Sequence, residues 1–164
     1  PPQLVPSNLQ YYSGNRITME GVDKREAAYV FSIKKKEKAP VLVNSSQPLN
    51  NLLAEKLAEG LRSQGLEVGN SGTTNLTLAI STAAVTVEEK TFTYVTKSKV
   101  SLQVIADFQG NKLTKQFNMS SSKEEPGEPT MADLESTLNQ QLGSVLQQIM
   151  ADEALRGYLK GQPS

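Results

Sequence analysis

The sequence predicts an α+β sandwich: an antiparallel sheet, made of a long meander plus N-terminal strands, with two main amphipathic helices packed on one face. Three observations predict it. Leucines recur at helical spacing between residues 49 and 61, alternation dominates Leu76 to Ser122, and a second helical stripe fills residues 131–149. At 164 residues the chain suits one domain, read as residues 16–160, after an extended tether over 1–15 and before a flexible tail over 161–164.

The opening PPQLVPSNLQYYSGN has three prolines and few apolar residues, which marks a lead-in and not a core segment. Arg16 to Val22 reads as a short strand with Ile17, Met19 and Val22 inward. Glu26 to Lys34 reads as another, with Ala28, Val30 and Ser32 on one face and Tyr29, Phe31 and Ile33 on the other. Asp23 and Lys24 are turn candidates between them. Val41 to Val43 is a feeder strand before the helix.

In NSSQPLNNLLAEKLAEGLRSQGLEVG, Ser45 or Ser46 can cap a first turn, and Pro48 sits where a missing N–H costs nothing. Leu49, Leu52, Leu53, Leu57 and Leu61 then form one stripe. Gly65 suits the left-handed conformation past the helix end, and Leu66 can fold back on Leu61 as in a Schellman stop. A strand Leu66–Val68 follows, then a turn at Asn70, Ser71 and Gly72. Because this helix separates strands, a β-α-β crossover is expected, right-handed if its strands are parallel.

Leu76, Leu78 and Ile80 alternate with polar or small residues, and Val85 and Val87 resume the alternation after STAA, where a bulge explains the slip. From Phe92 through Tyr94, Thr96, Ser98, Val100, Leu102 and Val104 to Ala106 a second long strand alternates. Gln109, Gly110 and Asn111 turn it into a third, Lys112 to Ser120, that carries Leu113 and Phe117. SSSKEEPGEP, from Ser120 to Pro129, reads as a mobile loop. Thr130 caps the second helix, with Asp133 in the reciprocal place of a capping box and Met131, Leu134, Leu138, Leu142, Val145, Leu146 and Ile149 as the stripe. Asp152 caps a short last helix with Leu155, Tyr158 and Leu159.

Composition narrows the chemistry. There is no Cys, His or Trp, which removes the thiolate nucleophile, the commonest metal ligand and the usual general base. Acids and bases balance at 17 each, so no net field favours nucleic acid. No stretch approaches the roughly twenty apolar residues of a membrane span. Lys34, Lys35, Lys36 and Lys38 cluster, but Glu37 interrupts them, and a solvated edge accounts for the run better than a phosphate site.

The remaining constellations have plainer readings. Ser98 faces opposite Lys97 and Lys99 on a strand, so the three do not form a Ser–Lys nucleophile. Glu88 and Glu89 also point apart. Glu124, Glu125 and Glu128 lack the ligand spacing of a calcium loop. Gly60, Gly65, Gly69 and Gly72 match no phosphate or dinucleotide fingerprint, and Gly60 is expected to let the helix approach a strand closely. Tyr11 and Tyr12 are read as a staple of the lead-in onto its own domain, with docking to a partner as the alternative. No catalytic, cofactor-binding or metal-binding residue is assigned, no cofactor is expected, and any small-molecule ligand is left open.

The helix NSSQPLNNLLAEKLAEGLRSQGLEV, the long Thr-rich hairpin, DFQGNKLTKQF and the closing QQIMADEALRGYLKG together resemble the YajG-type lipoproteins of Gram-negative bacteria, over about Ile17 to Lys160. The resemblance implies a precursor with a secretory signal and a lipidated cysteine ahead of the tether PPQLVPSNLQ. It further implies a monomeric or weakly associating, non-enzymatic periplasmic domain, held at the outer membrane by its lipid anchor, with a binding or accessory role and an envelope protein as partner. The alternatives are a subunit of an envelope assembly or secretion complex that uses an exposed strand edge, and a hydrolase built on Ser and Lys or on carboxylates.

Overall fold

A computed structural model describes residues 16–25, 29–34, 41–44, 49–69, 72 and 74–160, with 29–34 and 41–44 described in backbone only. Expectations for the tether, Tyr11 and Tyr12, the lysines beyond Lys34, the cap at Ser45 or Ser46 with Pro48, the facing of the second strand, Asn70, Ser71 and the tail lie outside the described residues. The elements in chain order are β1 (Arg16–Asp23), β2 (Tyr29–Lys34), β3 (Val41–Asn44), α1 (Leu49–Ser63), β4 (Glu67–Val68), β5 (Thr74–Glu89), β6 (Tyr94–Phe108), β7 (Asn111–Glu125), α2 (Met131–Ala151) and α3 (Glu153–Lys160).

The described strands form one mixed sheet around β5. On one side β5 pairs antiparallel with β6 from Thr74↔Phe108 to Glu89↔Tyr94, and β6 pairs antiparallel with β7 from Phe108↔Asn111 to Tyr94↔Glu125. The register slips between Ile80 and Thr82, where the STAA break placed the bulge. The other side of β5 is shared. β1 runs parallel to its first half, from Ile17↔Thr74 to Asp23↔Ile80, and β2 parallel to its second, from Phe31↔Val85 to Lys34↔Glu88. β4 adds parallel to β1, and β3 antiparallel to β2.

The expectation of an antiparallel sheet is therefore corrected at its N-terminal strands. Asp23 and Lys24 do not reverse the chain: the Lys24 N–H donates to the Ile80 carbonyl at 2.9 Å and prolongs the ladder. Asp23 instead accepts from the Arg25 backbone N–H at 3.0 Å and from its guanidinium at 2.7 and 2.9 Å, which holds its carboxyl below the usual range. Parallel strands need a long crossover, and α1 supplies it.

α1 ends as its sequence dictates. Gly65 has φ of 93°, the Leu66 N–H donates to the Leu61 carbonyl at 3.1 Å, and the Gly65 N–H donates to the Arg62 carbonyl at 3.0 Å. Leu49, Leu53, Leu57 and Leu61 are buried, and Leu52 packs at the margin. The helix lies mainly across β1. Gly60 is buried on it, and a close approach is made at Gly21 of β1, where a Cβ would stand 2.3 Å from the Asn50 carbonyl oxygen. The Asn50 amide donates to the Gly21 carbonyl at 3.0 Å, so the contact is fixed as well as tight.

α2 covers β6, β7 and part of β5, with Leu134, Leu138, Leu142, Val145, Leu146 and Ile149 in the core. Its capping box is complete: Asp133 N–H donates to Thr130 Oγ1 at 3.1 Å, and Thr130 N–H donates to Asp133 Oδ2 at 2.9 Å. Asp152 accepts the Leu155 N–H at 2.8 Å and starts α3.

Four further expectations are corrected. Phe92 belongs to the β5–β6 turn, not to a strand, and is 86% exposed. Met131 is exposed at the open first turn of α2. Val22 does not share the inward phase of Ile17 and Met19, since those residues oppose inward Thr74 and Leu76 whereas Val22 opposes Ala79. Ser120 to Glu125 is strand, not loop, because β6 offers a paired partner for every residue as far as Tyr94. Cross-strand pairing here outweighs the low β-propensity of Ser, Lys and Glu.

Leu57 is fully buried at the centre of the α1 stripe, so Leu57→Ala is expected to cost about 2–5 kcal/mol, read from urea midpoints. Glu59 is exposed with only a 3.7 Å ion pair to Lys56, and Glu59→Ala should stay within about 0.5 kcal/mol. At the α2 cap, the Thr130 N–H and hydroxyl hold the Asp133 carboxyl below its ordinary value of 3.8. A depressed folded-state pKa stabilises the fold above the unfolded value, and that contribution is lost as pH falls through the folded one. Asp133→Asn should therefore be less stable than wild type at neutral pH, with the gap closing below pH 3.8. Thr130→Ala should lose about 1 kcal/mol at neutral pH, and less below pH 3.8, where the carboxylate it helps hold is protonated.

Candidate functional site

The catalytic constellations considered from the sequence are not assembled. Ser98 is buried on the helix-covered face, its Oγ 2.5 Å from Ser121 Oγ, while Lys97 and Lys99 are exposed on the opposite face. Glu88 lies 3.0 Å from Lys90 Nζ, and Glu89 accepts from the Tyr94 hydroxyl at 3.0 Å. Glu124 accepts from Thr93 Oγ1 at 2.8 Å, Glu125 pairs with Lys123 at 2.8 Å, and Glu128 is exposed in the loop. Among the described residues no three His, Cys, Asp or Glu side chains gather as metal ligands.

The feature that does stand out is the outer edge of β7. Fifteen residues long, β7 pairs only with β6 among the described residues. Its register starts at the Gln109–Gly110 turn, where both φ values are positive, 52° and 86°, as a two-residue type I′ turn requires. Such a turn makes Phe108 and Asn111 a hydrogen-bonded pair, and alternate pairs repeat it up the ladder. The odd-numbered residues of β7 therefore bond to β6, and the even-numbered residues from Lys112 to Glu124 aim their backbone N–H and C=O groups at the outer edge, where no described strand pairs with them.

A groove of about 1180 Å³ runs beside this strand. Met119 lines it from β7, and one flank of α2 from Ala132 to Ala151 lines it from above, chiefly with small and amide side chains such as Ser136, Gln140, Gly143 and Gln147. Two contacts fix α2 and α3 relative to the strand. Lys115 Nζ lies 3.3 Å from Asp152 Oδ2, and the Tyr158 hydroxyl donates to the Asn111 carbonyl. On the far face of the sheet Ser101 Oγ donates to Asn118 Oδ1 at 2.7 Å. Near the open end, Lys123 is held protonated to higher pH than usual by its bond to Glu125, with Asp133 adding to the effect.

Residues 2–160 match the profile of a family described as "Uncharacterized lipoprotein", Lipoprotein_16. The chain belongs to this lipoprotein family. It is thus an envelope lipoprotein of the YajG type that its motifs resemble, and no helix among its described residues is long and apolar enough to cross a membrane. Among curated proteins none matches the sequence. Solved structures share the fold. A Xanthomonas campestris protein of family DUF330 superposes with a TM-score of 0.70 at 9% identity, covering 96% of this chain and 94% of that one. A protein from Helicobacter pylori described as a neuraminyllactose-binding hemagglutinin homologue gives 0.55 at 11% identity, with coverages of 96% and 93%. At these identities the likeness is one of fold.

Sequence reasoning missed the groove, since it stopped the third long strand at Ser120. A usable signal was present: the turn at Gln109 and Gly110 fixes the register, which puts a paired position on β7 as far as residue 125 opposite a β6 that starts near residue 94. The edge geometry predicts that prolines are tolerated by parity. Ser120→Pro removes only an edge N–H, whereas Ser121→Pro takes the ladder donor from Ser98 and should cost about 1–3 kcal/mol more in a urea titration.

Proposed function

We propose that this lipoprotein is a non-enzymatic binding or accessory component of the envelope, held at the outer membrane by an N-terminal lipid anchor, and that it takes up a partner strand on β7. The observation that carries the reading is a long strand edge with no second partner strand among the described residues, beside a groove lined by α2. Strand addition gives affinity through main-chain hydrogen bonds and specificity through alternate side chains, and needs no catalytic group. Lys112 and Glu124, at opposite ends of the exposed edge, deter indiscriminate pairing and favour a partner whose charges run in the opposite order. Family membership supports the anchor, and the residue types absent from the sequence support a role without covalent chemistry.

A photo-cross-linking residue placed at Ser120 of the full-length lipoprotein in living cells should give one discrete heavy adduct. The same residue at Thr86, exposed on β5, should give none, and adding Ser122→Pro should abolish the Ser120 adduct. Equal labelling from Thr86, or an adduct indifferent to Ser122→Pro, contradicts strand addition. A precursor that lacks a lipidated cysteine and fractionates with cytosol contradicts the anchor.

A further inference from the structure

The geometry points to a second copy of this chain as the strand received at the β7 edge, paired antiparallel about a two-fold axis at Asn118; we propose this as an extension that rests on the edge being a strand-binding site. Three features carry it. The first is register. Only even-numbered residues face the free edge, so they must pair with even-numbered residues, and Asn118 is the midpoint of Asn111–Glu125. Pairing about Asn118 therefore uses the full strand.

The second is charge. In this register Lys112 lies opposite Glu124 of the second copy, and symmetry repeats the pair at the other end of the interface. Between them Gln116 faces Ser120, and Asn118 faces itself. On the helix side Phe117 faces Met119, so the two apolar residues near the axis meet each other twice. A two-residue slip in either direction sets Lys112 opposite Ser122 or beyond the end of the strand. With 17 acidic and 17 basic residues, the copies carry no net repulsion.

The third is the groove. A two-fold axis on the β7 edge brings the flanks of the two α2 helices together, antiparallel, across the shared groove. The Lys115–Asp152 pair gives the offset between strand and helix. From Lys115 to Asn118 the strand advances about 10 Å, which is about seven helical residues back from Asp152, so the turn with Gly143 and Ser144 lies near the axis. That is where the flank is smallest. The amides of Asn139, Gln140 and Gln147 each donate and accept, so they can satisfy their own counterparts.

The test uses the full chain in sedimentation equilibrium and under oxidising conditions. Wild type should show a concentration-dependent dimer. Lys112→Glu turns two attractive cross-strand pairs repulsive and should weaken association by about tenfold or more, as should Glu124→Lys. The double variant should restore it. Since the chain has no cysteine, Asn118→Cys supplies a single thiol at the axis, where Cα atoms of a hydrogen-bonded pair stand about 5.5 Å apart, within disulfide reach. Ser120→Cys thiols would be separated by four residue steps, about 13 Å, and should not cross-link.

A monomer at every concentration with no Asn118→Cys dimer overturns the proposal. So does a Ser120→Cys dimer that forms as fast, or a double variant no tighter than the single ones. A cellular adduct from Ser120 at a mass other than twice the chain, with a monomer in solution, removes the second copy but leaves strand binding standing. No adduct and no dimer removes both.

Discussion

The long antiparallel ladder between β5 and β6 is the constraint on which the rest of the structure depends. Fifteen paired residues, interrupted by one bulge after Ile80, make a rigid spine about 50 Å long, and every other element is placed by its relation to it. Leu76, Leu78, Ile80, Val85 and Val87 from β5 meet Val100, Leu102, Val104 and Ala106 from β6 on one face, and all are buried. The bulge is what allows this. Without the extra residue, Val85 and Val87 would fall on the same face as Ala79 and leave the core.

Such a spine has two sides, and they are filled differently. One is divided between β1 and β2, which follow each other along β5 in the same direction and need α1 to carry the chain back. The tight contact of Gly21 with Asn50 is the local consequence, since a helix crossing this close to a strand leaves no room for a Cβ. Among the described residues the other side is taken by β7 over its whole length, because the tight turn at Gln109 and Gly110 returns the chain directly beside β6.

What was legible in the sequence follows from how locally each feature is encoded. The Schellman stop at Gly65 and Leu66, the capping box at Thr130 and Asp133, the Asp152 cap and both leucine stripes were readable because each is set by residues within a few positions of one another. The bulge was readable as a break in alternation. The direction of β1 and β2 was not, since Asp23 and Lys24 suit a turn equally well and the pairing that prevents it comes from Ile80, far along the chain. The end of β7 was missed for the same reason: Ser120 to Glu125 has no apolar alternation of its own and is strand only because β6 lies beside it. In the candidate site, the absence of a Ser98–Lys constellation followed from strand parity alone, whereas the groove needed the placement of α2.

A protein that gains nothing from an open edge can shorten it or cover it, because exposed N–H and C=O rows invite pairing with other chains. Among the described residues β4 has two residues and β3 has four, and β1 runs on past β4 from Thr18 to Asp23 with β5 as its one partner. β7 has fifteen, and α2 stands back from its edge instead of closing over it. The α2 flank is also the part of that helix that departs from an apolar stripe, with small and amide residues where leucines occupy the core side. The β7 edge that has no second partner strand among the described residues and the α2 flank beside it lie along the same line, which is the arrangement that the proposed strand addition uses.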